Sequence, residues 1–277
     1  MNVLKLKHML ELFFIEDIGD TDVTSDFIFR ESEKDELYFV AKEAGIFCGK
    51  DILEVGFRVL DDSIEVTTFK SDGDIVKPFD TIAVARGQVA TLLKGERVIL
   101  NLLQRLSGIA TMTKKAVELT AHTGVIITDT RKTTPGLRML EKYAVRCGGG
   151  KNHRNSLDDA IMIKDNHIAY AGSITEAVNR VKKKAGHTLK IEVEVETKEM
   201  MEEAIAAGVD IIMFDNCSPQ TLREWLPFVP KSILTEASGG IHLENVREYA
   251  ETGIDVLSLG CLTHSVKALD ISAKVFK

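Results

Sequence analysis

The residues most able to do chemistry in this chain fall into a few short runs. CGGGKNHRNSLDDA (147–160) places Lys151, His153 and Arg154 directly after three glycines. Asp129-Thr130-Arg131-Lys132 and Lys164-Asp165-Asn166 add further cations on either side of it. Arginine grips carboxylates through two parallel hydrogen bonds, which lysine cannot do, so several arginines with a histidine suit a ligand bearing more than one carboxylate. A metal role for His153 is disfavoured, because no second histidine or cysteine stands at ligand spacing. No Gly-x-Ser-x-Gly elbow is present, which argues against a serine triad.

Acidic and glycine-rich runs follow. In IEVEVET, alternation points Glu192, Glu194 and Glu196 to one face of a strand and Val193 and Val195 to the other. Carboxylates directed inward from a parallel strand need lysines, arginines or Mg²⁺ to offset their burial. Asp215-Asn216 and Glu236 extend the acidic set. Ser238-Gly239-Gly240 and Ser258 with Gly260 offer backbone N–H groups that can approach a phosphate closely.

These runs recur at equivalent places in a repeated pattern. From about Val125, short apolar stretches alternate with amphipathic ones: VIITD, AIMIKDN, IEVEVET, IIMFDN, SILTEASGG and VLSLG are predicted strands, and the stretches between them are predicted helices. Such alternation implies a parallel sheet, and six strands at this spacing suit an incomplete barrel better than a short open sheet; periodicity alone leaves a doubly wound sheet open. Each strand delivers polar groups at its carboxyl end, where barrel active sites lie. The first hundred residues differ. A helix is predicted over 4–15, ELYFVAKEAGIFCG as strand–turn–strand, DILEVGFRVL as a helix, three short strands through 63–87, and a long helix from about Thr91 to Ala121. That is an α+β unit on an antiparallel sheet.

Composition narrows the class. Hydrophobic residues at 44% and charged residues at 28% are ordinary for a globular protein. The net charge of −7 disfavours general nucleic-acid binding. It is unevenly spread: between Arg131 and Lys164 eight basic residues face three acidic ones, a local surplus of five that would focus an anionic substrate. No apolar run is long enough for a membrane span, and the amphipathic start is unlike a secretory signal. The four cysteines show no paired spacing and are read as reduced thiols of a cytoplasmic protein.

DTRKTTPGLRMLEKYAVRCGGGKNHRNSLDDAIMIKDNH (129–167) resembles the signature region of quinolinate phosphoribosyltransferases. The likeness extends through EVEVET, MFDN, EASGGI, SLGCLTHSVKALDIS, EDIGDTDVTS and GERVILNLLQRLSGIAT, and so over nearly the whole chain. It implies an N-terminal α/β sandwich domain (1–108, with a tail, 266–277, packing back on it) and a C-terminal incomplete α/β barrel (109–265) of the type II phosphoribosyltransferase kind. It further implies decarboxylating transfer from phosphoribosyl pyrophosphate to quinolinate, giving nicotinate mononucleotide, pyrophosphate and CO2 for NAD biosynthesis. By motif position, Arg131, Lys132, His153 and Arg154 would bind the carboxylates, Thr130 would also contact substrate, and Lys164 would lie between pyridine and ribose phosphate. Glu194 and Asp215 would serve the ribose hydroxyls and Mg²⁺, directly or through water, and Ser238, Gly239, Gly240 and Gly260 the 5-phosphate. Catalysis would rest on Lys132, Lys164, Glu194 and Asp215. Arg97 would enter the partner's site in a homodimer, with assembly beyond the dimer left open.

Three rivals keep part of this pattern. A related phosphoribosyltransferase could act on a monocarboxylate such as nicotinate, but the dense cationic set favours a dicarboxylate. A Schiff-base lyase could use Lys132 or Lys164 as its amine. A non-enzymatic phosphate-binding protein would keep the glycine loops but have no need of Glu194 and Asp215.

Overall fold

The computed structural model describes residues 1–276, and its contacts divide the chain into two compact units. The first comprises residues 1–112, 139–149 and 266 onward. It contains α1 (Val3–Ile18), α2 (Val23–Ile28), β1 (Lys34–Ala41), β2 (Gly45–Ile46), α3 (Lys50–Leu60), β3 (Glu65–Thr68), β4 (Ile75–Val76), β5 (Thr81–Gln88) and the start of α4 (Val89–Thr120). The second unit, 113–138 and 150–265, begins with β6 (Ile126–Thr128). Helix α5 (Arg138–Cys147) groups with the first unit from residue 139 on.

The second unit continues with β7 (Ile161–Ile163), α6 (Asp165–Ala171), α7 (Ile174–Lys182), β8 (Ile191–Val195), α8 (Lys198–Ala207), β9 (Ile211–Asp215), α9 (Pro219–Trp225), β10 (Leu234–Ser238), α10 (Val246–Ala250), β11 (Val256–Ser258) and α11 (Cys261–His264). The strand β12 (Ile271–Lys274) returns to the first unit.

In the first unit an antiparallel sheet runs in the order β12-β1-β5-β3. The apolar sides of α1, α3 and α4 bury Leu6, Leu10, Phe14, Ile52, Leu53, Phe57, Ile99 and Leu103, and Phe57 meets Phe39 of the sheet edge-on at 6.0 Å between ring centroids. The predicted strand–turn–strand over 36–49 is present as two strands but not as a hairpin. Both edges of β1 are already taken, by β12 and β5, so β2 pairs with β4 in a sheet of its own. The terminal segment lies tightly against α4. A Cβ at Gly108 would meet the Cα of Ala268 at 3.1 Å, and the Gln104 side-chain amide donates to the Ile271 carbonyl at 2.7 Å. Residues of α5 are held in the same unit because Arg105 donates to the fully buried Glu141 at 2.6–2.8 Å.

The second unit is a parallel sheet in the order β6-β11-β10-β9-β8-β7. From β7 to β11, strands that follow one another in the chain are neighbours, and β6 joins β11. That order is a barrel interrupted between β6 and β7, and it excludes the doubly wound alternative, whose strand order reverses at a switch point. Local sequence explains the strand-to-helix turns at the carboxyl ends. Thr197 caps α8 by accepting from the Met200 N–H at 3.2 Å, and Ser218 caps α9 ahead of Pro219 at its first turn. At the opposite ends, Asp255 accepts from both the N–H (2.9 Å) and the hydroxyl (2.6 Å) of Thr235, which fastens the start of β10 to the start of β11. With the strand starts fixed, their carboxyl ends form one rim.

Candidate active site

That rim closes around a cavity of about 390 Å³. Thr130, Arg131, Lys132, His153, Arg154, Lys164, Glu194, Asp215 and Ser238 line it together with Met162, Met213 and Ser258. Ten of the residues singled out from sequence, Ser258 among them, therefore line one cavity. The volume suits a small molecule, and the charged lining suits an anionic one. A shallower depression of about 520 Å³ beside Arg180, Lys183 and Lys184 has no converging acid.

The cations are held by backbone and buried acids. Asp129, fully buried at the end of β6, accepts from the His153 N–H at 2.9 Å and the Asn152 side chain at 2.6 Å. Lys151 donates its N–H to the Ile127 carbonyl at 2.8 Å, so the glycine-rich run is fastened to β6 just before His153. Arg138 spans two loops, donating to the Thr133 hydroxyl at 2.9 Å and the Asn155 carbonyl at 3.2 Å. Thr263 donates to the Lys132 carbonyl at 2.8 Å. Sequence reasoning placed Asp129 at a strand end without a role, and it did not single out Arg138 or Thr263. Their roles depend on which loops meet, and no local motif signals that.

Arg131 and Arg154 form the basic face. The Nε of Arg131 is buried with no hydrogen-bond partner, a costly state for a guanidinium unless a ligand accepts from it. Burial first, and then the charge of Arg131, pull Arg154 below the usual guanidinium value. Two like charges side by side in a partly dry cavity call for an anion between or above them.

Opposite lies an acidic face. Lys164 pairs with Glu194, and burial followed by the charge of Glu194 pushes Asp215 up. The Asn216 side-chain amide donates to Asp215 at 2.7 Å. The two glutamates of β8 and Glu196 just beyond it grade from the barrel interior to its mouth: Glu192 is buried, Glu194 half-buried and Glu196 exposed. Inward alternation thus separates one interior acid from one cavity acid.

The interior acids are a feature that strand-end reasoning did not resolve. His153 turns its Nε2 to Glu192 at 3.1 Å and Glu236 at 3.5 Å, while its Nδ1 accepts from the Arg154 N–H at 2.8 Å. Glu236 also accepts from Ser258, whose hydroxyl meets that of Thr128 at 2.6 Å. Burial, and then the charge of Glu192, push Glu236 up to about 7. Ligand atoms of His153, Glu192 and Glu236 come within 4.8 Å of one another, and they bond directly to each other through the His153 Nε2.

After β10, Gly239 has φ +89°, and a Cβ there would meet the Asn216 backbone nitrogen at 2.9 Å. Gly240 has φ +65° and is exposed. A Cβ at Gly260 would come 3.1 Å from the Cδ of Lys132. These three glycines stand beside the cavity rather than among its lining side chains. Arg97 lies on α4 of the first unit, exposed to solvent.

Two family models cover the chain almost end to end. Residues 22–107 match the N-terminal domain of quinolinate phosphoribosyl transferase, and residues 109–274 match its C-terminal domain. The chain belongs to the quinolinate phosphoribosyltransferase family. A Bacillus subtilis relative named as a probable nicotinate-nucleotide pyrophosphorylase (carboxylating) is 56% identical over 275 residues, covering 99% of this chain and 95% of that protein. The crystal structure of NadC from Streptococcus pyogenes superposes with a TM-score of 0.95 at 40% identity, over 99% of this chain and 97% of that one. Human nicotinic acid phosphoribosyltransferase, at 10% identity and a TM-score of 0.59 over 100% of this chain and 74% of that one, shares the fold alone. The N-terminal sandwich and incomplete barrel expected from sequence are thus the architecture of this family member.

Proposed function

We propose that this phosphoribosyltransferase joins quinolinate to phosphoribosyl pyrophosphate and releases pyrophosphate and CO2, giving nicotinate mononucleotide for NAD biosynthesis. The observation that carries this reading is the unpartnered, buried Nε of Arg131 beside Arg154, facing the Lys164–Glu194–Asp215 group across one cavity. A basic face for two carboxylates and an acidic face for ribose hydroxyls is the division of labour this reaction requires. The name carried by the 56%-identical relative supports the same chemistry.

Arg131, Arg154 and Lys132 orient the dicarboxylate so that its ring nitrogen faces the anomeric carbon. Lys164 bridges the two halves of the site, and Gly239, Gly240 and Gly260 leave room for the 5-phosphate to reach backbone N–H groups. Glu194 and Asp215 stabilise positive charge developing on the ribose as the C–O bond to pyrophosphate breaks. The ring nitrogen forms the new bond to the anomeric carbon, and the resulting pyridinium accepts the electron pair released when the adjacent carboxylate departs as CO2. That ring carbon then takes up a proton. His153 is tied to Glu192 and Glu236, so it acts from the cavity floor, holding Arg154 in place.

Glu194 and Asp215 offer only carboxylate oxygens, a donor set that fits Mg²⁺ directly or through water. When bound there, Mg²⁺ would neutralise charge building up on the departing pyrophosphate. A homodimer, with exposed Arg97 of one subunit reaching the other's site, completes the reading. The four cysteines, none in a disulfide, support a cytoplasmic setting.

The test is product formation with phosphoribosyl pyrophosphate and Mg²⁺, offering quinolinate and nicotinate separately. Nicotinate mononucleotide and CO2 from quinolinate alone is the expected result. Product from nicotinate alone would overturn the assigned substrate.

A further inference from the structure

The first unit holds a second convergence of ligand-type atoms, and phosphoribosyl transfer has no use for it. Cys48 follows β2, Asp72 lies in the turn between β3 and β4, and Cys147 ends α5. The two sulfurs and a carboxylate oxygen lie within 4.8 Å of one another. Cys48 is fully buried, and the other two are half-buried.

Two of the three ligands are fixed from outside the cluster. One oxygen of Asp72 accepts from the backbone N–H groups of Gly49 (2.6 Å) and Lys50 (3.0 Å), and the other accepts from the Tyr143 hydroxyl. The backbone N–H of Cys48 donates to the Ser107 hydroxyl at 3.0 Å. Hydrogen-bonded carboxylates of this kind orient a metal ligand and restrict its movement.

We propose that Cys48, Asp72 and Cys147 bind one thiophilic divalent cation, Zn²⁺ by preference, with water completing a tetrahedral shell. Two thiolates and a carboxylate are a soft, Zn-type donor set, distinct from the all-carboxylate pair at Glu194 and Asp215. Binding releases one proton from each thiol. The three ligands carry three negative charges, which the cation and neighbouring Arg146 cancel. Bound metal cross-links three segments far apart in sequence.

A disulfide explains the cluster less well. It has no use for Asp72, whose carboxylate converges on both sulfurs and is itself held by Gly49, Lys50 and Tyr143.

The test uses the full-length protein, reduced, stripped with a chelator and titrated with Co²⁺ under nitrogen. One equivalent is expected to produce a thiolate-to-cobalt charge-transfer band that Zn²⁺ abolishes. A Co²⁺ ion at Glu194 and Asp215 would give no such band. Cys48→Ser and Cys147→Ser should each weaken binding at least about 100-fold, since losing even an outer-shell partner costs 10–100-fold. Lys132→Ala should keep the band. Cys147 is only half-buried, so Cys147→Ser carries the test should Cys48→Ser fail to fold. Folded wild-type protein without a charge-transfer band, or a band surviving in Cys147→Ser, overturns the proposal. So does a Cys48–Cys147 disulfide in protein purified without oxidant.

Discussion

His153 directs its Nε2 at the buried carboxylate of Glu192, 3.1 Å away, and accepts at Nδ1 from the backbone of Arg154. A ring nitrogen that accepts an N–H carries no proton, so the Nε2–H points at the interior acids rather than into the cavity. The floor of the site is therefore a histidine over two acids, and the titration of the second acid, Glu236, becomes measurable.

Glu236 has its folded value raised to about 7 from 4.5. The native state then binds more protons than the unfolded state between those values, so this contribution to stability is fully present below 4.5 and is lost as pH rises through about 7. At about 1.4 kcal/mol per unit, the loss amounts to about 3.5 kcal/mol at most. Glu236→Gln should unfold in denaturant much like wild type at pH 5 and be the more stable of the two, relative to that baseline, at pH 8. A wild-type-to-variant gap that is the same at both pH values would sink the assignment.

Arg131 is expected to act through the geometry of its fork. Because its Nε has no partner within the chain, Arg131→Lys removes nothing that holds the fold. A charge-assisted hydrogen bond to the ligand is worth about 1.5–3 kcal/mol, so kcat/KM for quinolinate should fall roughly 10–100-fold with thermal stability unchanged. The KM for phosphoribosyl pyrophosphate should stay near wild type. An equal loss for both substrates would mean that Arg131 does not read the carboxylates.

Much of this site was legible because a barrel converts strand ends into neighbours. Once 125–260 was read as repeated strand and helix, Arg131, Lys164, Glu194, Asp215 and Ser238 had to share a rim. What stayed hidden depends on contacts between distant segments. Nothing near Gly45 signals that β2 must seek β4, because the strand filling the other edge of β1 comes from residues 271–274. Likewise Arg138 looked like one more surface cation until Thr133 and Asn155 met around it. Glu236 was visible as a strand-end acid, but its raised pKa comes from Glu192 and burial, which a single strand cannot reveal.

Gly239 tests the phosphate end. Its φ of +89° is strained for any L side chain, and an added Cβ would press on the Asn216 nitrogen, which donates to the Ser238 carbonyl at 2.9 Å. Gly239→Ala should cost about 1–3 kcal/mol of stability. It should also raise the KM for phosphoribosyl pyrophosphate while leaving that for quinolinate little changed. Denaturant unfolding and paired saturation curves check both parts, and a variant with wild-type affinity for phosphoribosyl pyrophosphate would remove Gly239 from the phosphate site.

The proposed exchange of Arg97 between the subunits of a homodimer has a test that needs no structure of the dimer. Arg97 is exposed on α4, so Arg97→Ala should fold normally and lose most of its turnover, as should Lys132→Ala. Each variant homodimer lacks one required cation at both of its sites. In a mixed dimer, however, the subunit carrying Arg97→Ala keeps its own Lys132 and receives Arg97 from its partner, so one of the two sites is complete. Co-refolding equal amounts of the two inactive variants should therefore restore activity that neither shows alone. If Arg97 served the cavity of its own subunit, or none, every site in the mixture would remain defective. Mixed dimers that form, as judged by differently tagged subunits, yet stay inactive would exclude the exchange.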